Sequence, residues 1–391
     1  MLSPLCIRKA LLTGLLTVLA TAPDTRLWGA SDEMPSRSET LKAMASANNH
    51  FMEKWPVAGC NDCLPGSRPS NIWTRAVYFE GALALFQVSH DPAVLDYATT
   101  WATFHDWGFR KGDKTTNADD QCAAQSYIEL YQINPTQESR LTHVLANVDD
   151  WTGSPKVDYY TWIDAIQMSM PVFARLGALK KNKAYLDKMH LLYEHSKTTL
   201  GLYNSVDHLW WRDAKFKPPF VTPNGKQCYW SRGNGWVLAA LARVLDVLPK
   251  TDPHFSGYLQ TFKEMSEALK NAQRSDGFWN VSLADPNDFG GPESSGTALF
   301  TYGMAWGINK GHLPAATYLP VVTKAWNGLI HTALHPDGLL GYVQGTGSKP
   351  ADGQPVGYDA TPDFDDFGLG AFLLAGSQMH ALAPAGPSAV K

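Results

Sequence analysis

Residues 159–177 read YYTWIDAIQMSMPVFARLG. Trp162, Ile166, Met170, Phe173 and Leu176 recur at helical spacing, which predicts a helix packed in a core. One acidic side chain, Asp164, stands in its first turn. A carboxylate in such apolar, aromatic surroundings is costly unless it is paired, hydrogen-bonded or protonated. It is therefore a candidate for proton transfer. The plainer account is an acidic residue that complements the positive end of the helix dipole.

The same period recurs along the chain. Helices are predicted over roughly 37–54, 72–88, 92–106, 118–132, 138–148, 160–177, 182–199, 232–247, 256–273, 295–308, 318–334 and 366–382. Several are separated by a turn in which glycine precedes an apolar or aromatic residue: Gly201-Leu202-Tyr203, Gly277-Phe278-Trp279 and Gly338-Leu339-Leu340. Repetition of helix, turn and helix suggests an internally repeated array. An open solenoid and a closed toroid of six helical hairpins both satisfy it. Inner helices of a toroid are covered on nearly all sides and should be apolar throughout. The segments ending at Gly177, over 233–248 and over 295–307 fit that description, so the predicted fold is all-α, an (α/α)6 barrel. Residues 31–385 contain no long Pro/Gly/Ser linker and are read as one catalytic domain.

Arg8 and Lys9 precede a short apolar run over 10–22, followed by small residues. This pattern predicts an export signal within residues 1–30, cleaved between about 22 and 30, and a periplasmic or secreted protein. The run is too short to span a bilayer, and no later stretch is apolar enough. The tail 386–391 is expected to be disordered. A net charge of −4 without a basic run gives no reason to expect nucleic acid. Cys60 and Cys63 (CNDC) form a weak metal signal and a plausible small-loop disulfide in an oxidising compartment. Cys122 and Cys228 read as buried thiols.

A second acidic cluster opens another inner helix: Asn117-Ala118-Asp119-Asp120. Asn117 can cap it, leaving two carboxylates in the first turn. If this helix and that of Asp164 start at one rim, two carboxylates face each other, and like charge raises one pKa. His208-Leu209-Trp210-Trp211-Arg212-Asp213 gathers a histidine and an arginine around two indoles. In Tyr229-Trp230-Ser231-Arg232-Gly233-Asn234-Gly235-Trp236, Arg232 and Trp236 are four apart, on one helical face. A guanidinium beside an indole suits an anionic sugar, and it is equally a common structural pair. Glu293, Ser294 and Ser295 read most simply as a capped helix start.

Taken together, NADDQCAAQSYIELY, DYYTWIDAIQMSMPVFARLG, LWWRD, NGKQCYWSRGNGWVLAALARVL, SDGFWNVSLADP, ESSGTALFTYGMAWGINKG and DFGLGAFLLAGS resemble glycoside hydrolase family 105, the unsaturated rhamnogalacturonyl hydrolases, relatives of the unsaturated glucuronyl hydrolases. The motifs run in order from about Ala76 to Met379. The resemblance implies an (α/α)6 barrel and hydration of the C4=C5 double bond in a 4,5-unsaturated uronate at the non-reducing end of a lyase-generated oligosaccharide. It implies Asp164 as general acid and base, Asp119 as the second carboxylate, and His208, Arg232 and Trp236 as substrate-binding residues, with Trp211 of the LWWRD loop beside them. It implies no metal and no cofactor, because the sugar's ring oxygen carries the developing charge. The long Pro/Gly-rich loop 343–363 departs from the pattern, and such loops often carry specificity. An inverting glycosidase on saturated glycans, a lyase or epimerase with a His or Tyr base, and a non-catalytic carbohydrate-binding protein are the competing readings.

Overall fold

Helices that are apolar on every side must be sheathed by other helices. In the computed structural model, which describes residues 33–384, five long helices are buried nearly all round: α2 (Trp73–Ser89), α7 (Asp164–Lys180), α9 (Ser231–Val247), α11 (Ser294–Asn309) and α13 (Phe367–Leu382). A sixth position is filled by the one-turn α4 (Ala118–Gln121) and α5 (Ala123–Ile133). These inner helices touch in sequence, α2 to α5, α5 to α7, α7 to α9, α9 to α11 and α11 to α13, and α13 returns to α2. The ring is therefore closed. The outer layer is α1 (Arg37–Lys54), α3 (Pro92–Phe104), α6 (Thr142–Gly153), α8 (Lys183–Glu194), α10 (Phe255–Asn271) and α12 (Ala315–Gly328). This is the (α/α)6 barrel read from the periodicity. The export segment expected over 1–30 and the tail expected over 386–391 lie outside the described residues. Among the described residues, no helix is long and apolar enough to cross a membrane.

Closure depends on glycine. A Cβ on Gly81 of α2 would lie 2.3 Å from the carbonyl oxygen of Gly370, and one on Gly370 would lie 2.2 Å from that of Val77. The backbones of α2 and α13 touch directly there. Above the crossing, fully buried Arg75 donates to Asp366 across 3.2 Å, tying the start of α13 to the first turn of α2.

The barrel axis is polar. Arg243 of α9 donates to Gln125 at 2.9 Å, Gln125 to the backbone oxygen of Gln167 at 2.7 Å, and Gln167 to Glu80 at 3.0 Å. Arg243 lies 3.5 Å from Glu80. Four inner helices are thereby joined through one buried polar network.

The recurring glycine turns are real. Gly201, Gly277 and Gly338 have φ of 61°, 91° and 96°, the left-handed region that glycine occupies without penalty. A disulfide, which the spacing left open, joins Cys60 to Cys63, and Cys122 and Cys228 are free and buried.

Replacing Gly370 by alanine forces backbone apart at the crossing and should destabilise the protein by about 1–3 kcal/mol or more. Chemical or thermal denaturation measures this. Wild-type stability in Gly370→Ala would show that the ring does not close through this contact.

Candidate active site

The two acidic helix starts do meet. Asp119, Asp164, Trp73, Trp162, Met168, Arg212, Thr346 and Gly347 line one cleft of about 190 Å³ at a mouth of the barrel. Trp73 is the first residue of α2 and Asp164 the first of α7, while Asp119 is the second of α4. Trp73 also contacts Trp236 of α9 and Phe367, the first residue of α13, with ring centroids 6.2 and 5.4 Å apart. Helix N-termini thus converge on the cleft, and their dipoles favour negative charge there.

The tandem aspartates separate by role. Asn117 caps α4 through the amide of Asp119 at 2.9 Å. Asp120 points away from the cleft, fully buried, accepting from Arg110 at 2.7 Å and Thr115 at 2.6 Å. Asp119 is left to face the cavity.

Both cleft carboxyls are pushed upward. Burial raises Asp164, opposed chiefly by the guanidinium of Arg212, which lies 3.3 Å from Oδ2. Burial also raises Asp119, followed by the negative charge of Asp164 and then of Asp120, and carries it to about 7. Arg110 and Arg212 act against that shift. The pair therefore retains a proton close to neutrality, a property of the dyad more than of either member.

Arg212 is held for this contact. Its Nη1 donates to Asp213 at 2.8 Å, and its backbone oxygen accepts from the amide of Ile163 at 2.9 Å, beside Asp164. Trp162 and Asp213 form an isolated antiparallel bridge. The segment before α7 and the LWWRD loop are thus one unit, carrying Trp162, Asp164 and Arg212 to the same place. Trp162 precedes the helix and faces the cleft, where periodicity had placed it in a core stripe.

The other residues read from the sequence sit differently. Arg232 and Trp236 do not stack on each other. The Arg232 guanidinium lies over Trp230 at 4.6 Å and Phe367 at 4.8 Å, and donates to the backbone oxygens of Gln344 and Gly345, each at 2.7 Å. It is buried beneath the loop that brings Thr346 and Gly347 to the cleft. Trp236 is fully buried behind Trp73, its indole nitrogen without a hydrogen-bond partner. Trp211 is buried, donating to Gln227 at 2.9 Å. His208 faces outward, 3.1 Å from the hydroxyl of Tyr203 and 3.7 Å from Glu264 of the outer helix α10. None of these four lines the cleft. The four-residue spacing gave Arg232 and Trp236 a common face but could not show the cross-chain carbonyls that capture the guanidinium. Glu293 caps α11, accepting from the amides of Ser295 and Gly296, as its position suggested.

Loop 343–363 is pinned at both ends. Thr346 bonds Asp363 through its amide and hydroxyl, and the amide of Gly345 bonds the oxygen of Gly353 at 3.0 Å.

Comparison with known proteins places this geometry in context. The family model described as Glycosyl Hydrolase Family 88 matches residues 43–383. The unsaturated 3S-rhamnoglycuronyl hydrolase of Formosa agariphila is 32% identical over 330 residues, covering 79% of this chain and 84% of that one. A solved family 88 glycosyl hydrolase from Bacteroides vulgatus is 33% identical with a TM-score of 0.80, covering 88% of this chain and 99% of its own. A solved protein described as a polysaccharide lyase is also 33% identical, with a TM-score of 0.80, covering 88% of this chain and 97% of its own.

The dyad has a consequence for stability. A carboxyl raised from 3.8 to about 7 on folding favours the folded state below its unfolded pKa, and that contribution is lost as pH climbs through about 7. Asp119→Asn does not titrate. Its melting temperature relative to wild type should rise between about pH 4 and about pH 8. A difference that stays constant with pH would show that Asp119 is not raised.

Proposed function

We propose, for a chain that belongs to glycosyl hydrolase family 88, that it releases 4,5-unsaturated uronate from the non-reducing end of lyase-generated oligosaccharides, such as rhamnogalacturonan fragments. The observation that carries this reading is one cleft lined by two carboxyls that burial raises, Asp119 and Asp164, set at convergent helix starts with Arg212 beside Asp164. The relative's name, which joins rhamnose to an unsaturated uronate, supports the substrate class.

The chemistry follows from the charges. Convergent helix N-termini and Arg212 draw the substrate carboxylate into the cleft, and Trp73 and Trp162 offer faces for the ring. Asp164 donates its proton to C4, and the C4=C5 electron pair forms the new C–H bond. Positive charge develops at C5 and is shared by the ring oxygen. Arg212 stabilises the carboxylate left on Asp164. That carboxylate takes a proton from water as its oxygen bonds to C5. The product is a hemiketal; the C5–O5 bond opens to a ketone, and the hemiacetal at C1 expels the next sugar. Asp119 keeps the dyad protonated at neutrality by resisting a second negative charge. Arg232 is a positioning residue, which holds loop 343–363 over the cleft through two carbonyls. The charged and then apolar amino terminus supports export, to a compartment where such oligosaccharides arise.

The lyase description of one structural relative suggests a second reading, which the same assay separates. Hydration destroys the ultraviolet absorbance of the ene-carboxylate, whereas a lyase creates it. Wild type should abolish the absorbance of lyase-generated fragments, and Asp164→Asn should be slower by about 10²–10⁴-fold. An increase in absorbance from saturated polysaccharide would replace this reading with the lyase one.

The pH profile gives an independent check. Activity should fall above about pH 7 as the dyad loses its last proton. Arg212→Met removes the charge that favours ionisation, so this limb should move to higher pH while the rate drops. An unmoved limb would remove Arg212 from control of the dyad.

A further inference from the structure

Each cleft carboxyl has a companion one turn deeper on its own helix. Cys122 follows Asp119 and Gln167 follows Asp164, and residues three apart lie on one helical face, about 4.5 Å along the axis. Cys122 has right-handed helical φ and ψ of −52° and −39°, so the spacing carries through it. Both deeper side chains reach the same group. The Cys122 thiol donates to Oε1 of Glu80 across 3.4 Å, and the Gln167 amide donates to Oε2 across 3.0 Å. Glu80 belongs to α2, whose first residue, Trp73, lines the cleft. One carboxylate thus grips the helices of both aspartates beneath the site.

A buried carboxylate is a costly way to fill a core. Glu80 is 1% exposed and faces Arg243 of α9 at 3.5 Å, with Arg175 and Glu129 also acting on its charge. Asp119 has need of such an anchor. It stands in the single turn α4, which Cys122 separates from α5. Among the described residues no hydrogen-bond donor reaches its carboxyl, so its place is set by the turn that carries it. Asp120 ties that turn to Arg110 and Thr115, and Gln121 ties it to Asn147 and, farther along α7, to Ser169. Cys122 supplies the tie directly beneath the two carboxyls, at the level of Gln167.

We propose that Glu80 is a positioning residue for the proton transfer: by holding Cys122 and Gln167 together, it fixes the distance between Asp119 and Asp164. This rests on the hydrolase reading given above. Glu80 is not among the residues that line the cleft and acts through the first turns of α4 and α7. A fixed short distance lets the charge of one carboxyl oppose ionisation of the other. Small displacements of reacting groups lower the rate steeply.

The test uses the full chain and leaves the Glu80–Arg243 pair intact, because removing one member strands a buried charge. Cys122→Ala and Cys122→Ser leave nearly the same space and differ in one donor. On lyase-generated fragments, kcat of Cys122→Ala should fall about tenfold with KM within about twofold of wild type. Its alkaline limb should move about half a unit to lower pH, since carboxyls farther apart repel each other less. Cys122→Ser should restore both. Gln167→Met breaks the other link and should repeat the loss, which keeps the idea testable if Cys122→Ala does not fold. A second readout needs no substrate. The rise in melting temperature of Asp119→Asn over its parent, between about pH 4 and about pH 8, should be smaller in the Cys122→Ala background than in wild type. Equal kinetics in Cys122→Ala and Cys122→Ser, or a slower rate with the limb unmoved, overturns the positioning role while the hydrolase reading stands. If wild type hydrates no unsaturated uronide, that reading fails, and the melting comparison alone decides whether Glu80 spaces the pair: an equal rise in both backgrounds overturns it.

Discussion

Two helices touch backbone to backbone where Gly81 meets Gly370, and the ring of inner helices closes through that contact. An open array of the same hairpins would leave α2 and α13 each with an apolar face in water. Closure buries both and forces the inner helices to run the same way round one axis. Their N-termini then share a single mouth. The cleft is a consequence of this arrangement, because a rim of helix starts supplies oriented amides without requiring any charged side chain. Arg75 and Asp366 reinforce the seam at the same level, where α13 begins.

Opposing electrostatic forces set the state of the two carboxyls. Burial and mutual repulsion resist ionisation, while helix starts, Arg110 and Arg212 promote it. Asp120, at the same helix start, is instead held by two direct donors, Arg110 and Thr115. Asp119, one residue away, has no such donor aimed at its carboxyl and stays near neutrality. Arg212 is on the cleft side of this division and Arg232 is on the loop side. A pair of arginines of similar sequence prominence therefore serves one chemical and one architectural purpose.

The helices, the inner-ring segments and both acidic positions were legible because each has a local signature: a 3.6-residue period, an asparagine cap, a carboxylate in an apolar turn. Asp119 was named as the second carboxylate only through the resemblance, and the reason it rather than Asp120 faces the cleft, the Arg110 and Thr115 bonds that remove Asp120, lies in the irregular loop just before the motif. Arg212 was visible only as part of an aromatic cluster. Its contact with Asp164 spans 48 residues and depends on a bridge between two irregular segments. His208 and Trp211, equally prominent in the same cluster, turn instead to Glu264 and Gln227, the histidine from a turn with φ of 56°. Trp73 carried no sign of its role, since a tryptophan at a helix start is common in any fold, and Thr346 and Gly347 were marked only as part of loop 343–363.

The sequence by itself determined an all-α chain, the approximate course of its helices, the burial of the segments ending at Gly177, over 233–248 and over 295–307, and the presence of two carboxylates at helix starts, because these follow from side-chain period and capping within a few residues. Tertiary structure alone decided which carboxyls share a cavity, which arginine joins them, and which aromatic rings face the cleft. Those outcomes depend on ring closure and on bonds between loops far apart in the chain, where the direction of a side chain is set by neighbours that no local pattern encodes.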